Sequence, residues 1–230
     1  MGGSTLQESE GGGEMSCQES SIVFSSWDDS DRDACVVDYC MNIMNVAKKE
    51  SCGKCVLCRE GTSQVYEIIK DITEGKAQRE DFELLLDVLS QIKDNASCEM
   101  ASTVASICMD LMKTHEEEWD LHIRRKKCKT LVCKGTYTLY VDPEICNGCG
   151  KCLESCPKGA IVGENEMIHL INTDICKKCF VCVSVCPKGA IKKAGSIKPK
   201  IPSELVPVGS FNQSLSDEEA GTTRRRRRRN

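Results

Sequence analysis

The spacing of apolar residues changes character several times along this chain. Residues 1–20, rich in Gly and Glu, show no apolar period and predict a flexible segment. Ile22, Val23 and Phe24 form a short β-like run, the remnant of a strand. From there the period becomes helical: Val36, Val37, Cys40, Ile43, Met44 and Ala47 fall on one face, with Asp31 or Asp33 placed to cap it. A second helix carries Val65, Ile68, Ile69 and Ile72 and stops at Gly75. A third carries Phe82, Leu85, Leu86, Leu89 and Ile92. The fourth carries Val104, Ile107, Cys108, Leu111 and Met112 and runs to about Ile123. Four amphipathic helices with short connections predict a small antiparallel bundle over residues 31–125. Residues 126–136 are basic and read as a hinge. Thr136 to Val141 alternates as a strand does and opens a unit at 137–193, and residues 194–230 read as a disordered tail ending in an arginine run. The expected class is α+β.

Cysteine changes this picture. There are eighteen in 230 residues, and twelve fall into a pattern. Cys146, Cys149, Cys152 and Cys156 stand as C-x2-C-x2-C-x3-C followed by proline, and Cys176, Cys179, Cys182 and Cys186 repeat it thirty residues later. The sequence Cys-Pro-Lys-Gly-Ala-Ile occurs identically at 156–161 and 186–191, which marks a duplicated unit with pseudo-twofold symmetry. Thiolates so spaced hold iron–sulfur clusters, whereas structural zinc favours two separated ligand pairs. This segment resembles bacterial-type two-cluster ferredoxins, in which the fourth cysteine of each motif serves the other cluster. The resemblance implies one [4Fe-4S] cluster on Cys146, Cys149, Cys152 and Cys186, and another on Cys176, Cys179, Cys182 and Cys156. Gly148 and Gly150 relieve crowding in the first ligand loop.

A third triplet, Cys52, Cys55 and Cys58, lacks a fourth cysteine nearby. Cys98, at the start of the fourth helix, is the expected remote donor, since a helix N-terminus suits an anionic cluster; the competing reading is an ordinary buried thiol. Residues 51–61, Ser-Cys-Gly-Lys-Cys-Val-Leu-Cys-Arg-Glu-Gly, resemble the signature of the NADH-oxidising flavoprotein subunit of respiratory complex I. They resemble still more the matching subunit of electron-bifurcating hydrogenases, with Leu57 where that family has proline. The likeness spans about residues 20–193 and implies the iron–sulfur half of such a subunit, joined to a ferredoxin domain. The flavin and NADH domain has no counterpart here: Gly11, Gly12 and Gly13 are flanked by acids, follow no strand and make a poor phosphate cradle, so FMN and NAD are not expected on this chain.

Of the remaining cysteines, Cys40 and Cys108 lie on apolar helix faces and read as core thiols. Cys128 and Cys133 flank a short basic loop. With His122, and Cys35 as fourth donor, they are a candidate zinc site pinning bundle to ferredoxin unit, against unpaired thiols on a hinge. His115 and His169 read as surface residues.

Composition bears on function class. No apolar run of eighteen residues occurs, so no membrane span is expected. No secretory leader is apparent, which favours metal ligands in a reducing, cytoplasmic compartment, of an anaerobe by the resemblance, over disulfides. Net charge is −4, yet Arg224–Arg229 are six consecutive arginines and the first fifty residues hold ten acids against three bases. Without a basic body, nucleic-acid binding is not expected despite the arginine run. No paired carboxylates or nucleophile constellation supports acid–base or covalent catalysis. The expectation is a non-catalytic electron-transfer subunit that relays electrons through three [4Fe-4S] clusters. Its partners would be a flavin/NAD(P)H-binding subunit and a ferredoxin or other iron–sulfur subunit. The alternatives are a truncated or divergent NADH-oxidising flavoprotein subunit that keeps a catalytic role in a complex, and a nucleic-acid-binding protein with structural clusters.

Overall fold

The computed structural model describes residues 26–31, 33–197 and 199–211. The β-like run at 22–24 and the arginine run at 224–229 lie outside the described residues. Helix α1 (Val36–Lys49) buries the six apolar positions that its period marks. Its N-cap is Cys35, without a side-chain cap, rather than Asp31 or Asp33. Asp31 instead accepts the backbone N–H of Asp33, and the Cys35 side chain turns inward to a cluster of ligand atoms described below.

A π-helical turn, Leu57–Gly61, carries the last cysteine of the first triplet into α2 (Thr62–Thr73). The wider turn re-aims Cys58 without ending the helix, a device frequent at functional sites. Gly61 makes this possible, because a Cβ there would lie 2.8 Å from Ile92 Cγ1. Helix α3 (Asp81–Asn95) buries Leu85, Leu89 and Ile92. Helix α4 (Glu99–Thr114) starts after the extended residue Cys98 and buries Met100, Ala101, Val104, Ala105, Cys108 and Met112. The expected fourth helix does not run on unbroken. His115 departs from helical dihedrals, and a separate α5 (Glu116–Ile123) brings Trp119 and His122 into the core. His115 is held by Asp29 at 3.2 Å and by the edge of Trp27.

In the second unit, β1 (Thr138–Val141) pairs antiparallel with β4 (Ile191–Ala194), and β2 (Ile161–Val162) with β3 (Leu170–Ile171). Short helices α6 (Lys151–Glu154) and α7 (Val181–Val185) follow the ligand loops. The thirty-residue repeat extends to the backbone hydrogen bonds. Asp142 N–H donates to Ala190 O and Asn172 N–H to Ala160 O, both at 2.7 Å. The ligand loops need left-handed residues: Gly148 and Gly150 supply them in the first half, Lys178 and Phe180 in the second. Gly148 has no alternative, since a Cβ there would meet the Glu166 backbone at 2.7 Å.

Two segments depart from their sequence reading. The tail expected from residue 194 instead runs back along the ferredoxin-like unit: Ile168 N–H donates to Val206 O, Val208 N–H donates to Glu166 O, and Val206 and Phe211 pack on that unit's core. The basic stretch 126–136 is fastened on both sides. Lys126 donates to Ala77 O on the helical side, while Lys178 and Lys193 donate to Lys134 O and Leu131 O from the other. Gly135 lies so close to α2 that a Cβ would sit 1.9 Å from the Glu74 carbonyl carbon. Gly135→Ala should therefore push this stretch off the helical unit, at about 1–3 kcal/mol. Limited proteolysis should then cut within 126–136 while far-UV circular dichroism retains the helical signal; an uncut variant would show that the contact is dispensable.

Candidate metal centres

The twelve patterned cysteines come together in three groups. In the helical unit, Cys98 precedes α4 and its thiol is in hydrogen-bonding contact with Cys58, which also meets Ser51 Oγ at 3.4 Å. Burial pushes the Cys58 thiol up to about 11, and the neighbouring sulfurs of Cys98 and Cys55 add to the rise. Cys55 goes the other way: burial opposes ionisation, but the N–H groups of Cys58, Ser97 and Leu57 outweigh it and hold the thiol below its ordinary value. Cys52 stands at the exposed edge of the group.

In the ferredoxin-like unit Cys152 and Cys156 each have sulfurs of the other motif as neighbours. Cys152 feels Cys146, Cys149 and the distant Cys186; burial, then these like charges, push its thiol up to about 11. Cys156 leaves its own motif and lines a cavity with Cys176, Cys179 and Cys182, walled by Leu139, Ala160, Ile161 and Ile171. The N–H groups of Lys158, Ala160, Gly159 and Ile161 surround Cys156 Sγ and override the effect of burial, so its thiol is lowered. The Ala160 N–H lies 3.3 Å from Cys156 Sγ, and Ala190 N–H lies 3.3 Å from Cys186 Sγ in the other half. A cradle of backbone donors around a sulfur favours thiolate, the form that binds iron. The donor set, its partial burial and these N–H groups fit four-iron clusters at all three groups.

A fourth group fastens the helical unit to the stretch that follows it. Cys35, His122, Cys128 and Cys133 are all buried, and their ligand atoms lie within 4.8 Å of one another. Cys35 Sγ and Cys133 Sγ are each 3.4 Å from His122 Nε2 and 3.6 Å from each other. Metal–sulfur and metal–nitrogen bonds of the usual zinc lengths predict tetrahedral edges of about 3.4–3.8 Å. His122 Nδ1 lies 2.7 Å from Glu118 O, which can only accept, so Nδ1 carries a proton and Nε2 faces the sulfurs. Burial disfavours charge on this ring, but the Cys128 and Cys35 sulfurs, as hydrogen-bond acceptors, outweigh it and push the ring up to about 10; the same contacts strongly depress the Cys128 thiol and strongly raise that of Cys133. Three sulfurs and one ring nitrogen this close together and this buried form a donor set of the kind that suits a tetrahedral metal ion.

His169, a surface residue by its sequence reading, is buried instead. It is 1% exposed, with Nδ1 3.8 Å from Cys146 Sγ, and its Nε2 has no hydrogen-bond partner among the described residues. The signal that could have found it is the repeat itself, which aligns His169 with the apolar Leu139.

Two iron–sulfur binding units in tandem are thus what the fold and its cysteines define, and family comparison agrees. Residues 38–122 match the NADH-ubiquinone oxidoreductase-F iron-sulfur binding region, and residues 138–187 match a 4Fe-4S dicluster domain. Among individual proteins, HndC of the NADP-reducing hydrogenase of Solidesulfovibrio fructosivorans is 36% identical over 139 residues, 60% of this chain and 28% of that one. A Streptomyces coelicolor NADH-quinone oxidoreductase subunit is 33% identical over 106 residues, 46% of this chain and 24% of that one. An NAD+-reducing [NiFe]-hydrogenase structure aligns with a TM-score of 0.38 at 23% identity, covering 40% of this chain and 16% of the other. The chain spans about a quarter of the length of these curated relatives. No helix among the described residues is long and apolar enough to cross a membrane.

Proposed function

We propose that this chain is an electron-transfer subunit whose three cysteine quartets each hold a [4Fe-4S] cluster. The reading is carried by one observation: each triplet meets a fourth sulfur delivered from a distant part of the chain, Cys98 to Cys58, Cys186 to Cys152 and Cys156 to Cys176. Bound there, the clusters would supply one-electron redox steps. The chain contributes thiolates, burial and the N–H groups that set the potentials. A flavin- or NAD(P)H-binding subunit on the side of the helical unit, and a ferredoxin or another iron–sulfur subunit at the dicluster unit, are the partners that the sequence resemblance implies. HndC is named as part of an NADP-reducing hydrogenase, and the Streptomyces relative as part of an NADH-quinone oxidoreductase. Acting inside such a complex, the chain would work in a reducing, cytoplasmic compartment.

The Cys35, His122, Cys128 and Cys133 group is assigned to zinc in a structural role. Its four donors are closed around a buried centre, and zinc does not change oxidation state. It fastens the segment before α1 and helix α5 to the stretch that leads into the dicluster unit.

Anaerobically purified protein is expected to contain about twelve irons and twelve sulfides per chain. Cys98→Ala should remove about four irons and leave the spin-coupled signal of the dicluster unit intact. A variant retaining all its iron would remove Cys98 from the ligand set. About one zinc per chain is expected beside the iron, and Cys128→Ser should lose it. Elemental analysis of the two proteins decides: zinc absent from the parent, or fully kept by the variant, would show that the group is not a zinc site.

A further inference from the structure

The two halves of the dicluster unit share a set of backbone contacts, among them Asp142 to Ala190 with Asn172 to Ala160 and Gly159 to Cys156 with Gly189 to Cys186, so a difference between equivalent side chains stands out. Strand β1 in one half corresponds to β3 in the other, thirty residues on: Val141 aligns with Ile171, and Leu139 with His169. Leu139 is buried and lines the cavity of Cys156, Cys176, Cys179 and Cys182. His169 stands in the same place beside the other group, with Nδ1 3.8 Å from Cys146 Sγ. A polar ring thus replaces an apolar side chain at one of two otherwise equivalent positions.

The pocket is shaped for that ring. Gly163 lies against it, and a Cβ there would be 2.2 Å from His169 Cδ2. Residues 206–208 run beside residues 166–168, and His169 is almost wholly shielded from solvent. Its Nε2 has no partner among the described residues, so the arrangement is not explained by a hydrogen-bond network that locks the ring for stability. A metal-bound thiolate can only accept, which assigns the proton to Nδ1.

We propose that His169 is a positioning residue for electron transfer: its Nδ1–H donates to the Cys146 thiolate and raises the reduction potential of the cluster on Cys146, Cys149, Cys152 and Cys186. The physical cause is that reduction adds negative charge to the sulfurs, and an N–H aimed at one of them stabilises the reduced form more than the oxidised form. Leu139 offers no such donor to the other cluster. The repeat thereby acquires two unlike redox sites from one substitution, and electrons arriving at the unit settle first where the donor is. This inference rests on the reading that the unit holds two clusters.

The test uses the full chain with its clusters in place. EPR-monitored redox titration is run on the parent, on His169→Leu, which makes the two halves alike, and on His169→Asn, whose amide nitrogen falls near the position of Nδ1. Cys149→Ser identifies which signal belongs to the Cys146 cluster. His169→Leu should lower the potential of that cluster alone, so that its ratio of reduced to oxidised form at fixed potential falls about tenfold, or about 59 mV for one electron. His169→Asn should restore most of the difference. Equal behaviour of Leu and Asn variants, or no shift in either, would overturn the assignment of a donor. Should the leucine variant fail to assemble its iron, pulsed EPR of the reduced parent labelled with 15N-histidine replaces it: a weak nitrogen coupling supports the bond, and its absence overturns it. A parent whose dicluster unit contains no iron would instead remove the underlying reading.

Discussion

Four sulfurs converging on one partly buried point repel each other as thiolates and lose their ligand character as thiols. The thiols of Cys58 and Cys152 are pushed up to about 11 by burial and by these neighbours. A cluster or ion of positive charge removes the conflict, and much of this fold is arranged around that need. Both units are small, and one of them has only two two-stranded sheets and two short helices among the described residues. Cores of this size give modest stability unaided, so under the proposed ligation metal binding would be coupled to folding. The crossing of Cys156 and Cys186 sharpens the coupling, because neither half of the repeat completes a site without the other.

The helical unit meets the same constraint by different means. Its triplet sits where a π-turn feeds α2, and its fourth sulfur arrives at the start of α4, two helices later. Gly61 lets the π-turn and α3 approach closely enough to bring these ends together. The N–H groups of Leu57, Cys58 and Ser97 then aim at Cys55, so the backbone supplies positive potential where no cationic side chain is needed.

Helix periods and the clustering of cysteines were legible in the sequence for a shared reason: both depend on spacing along the chain. The buried faces of α1 and α3 follow directly from positions such as Val37, Cys40 and Met44, or Leu85, Leu89 and Ile92. What was not legible depends on contacts between distant segments. The break at His115 reflects the need to turn Trp119 and His122 inward, although the acidic run Glu116–Glu118 reads as continuous solvated helix. The ordering of residues 206–208 comes from backbone hydrogen bonds to 166–168, which side-chain chemistry does not announce. His169 reads as a surface residue because a lone histidine carries no period of its own; only the comparison with Leu139, one repeat earlier, gives it meaning.

The stretch between the units carries the last step of the argument. The basic stretch 126–136 reads as a hinge, yet several of its residues are held by the units on either side. Tyr137 lies buried just beyond it, with the ammonium groups of Lys178 and Lys193 5.0 and 4.8 Å from its ring centre, and Phe180 beside it. Burial raises its hydroxyl, and the sulfurs of Cys176 and Cys133 raise it further, so this one side chain senses both the dicluster unit and the Cys3His group. Gly135 against Glu74, the Cys3His group and the Tyr137 stack are three successive fastenings over a few residues. Electron transfer between separate units requires that their redox sites keep a short separation. Here the stretch between the units is held by contacts that replace the freedom a basic linker would otherwise have, and under the proposed relay those contacts would keep the redox sites from drifting apart.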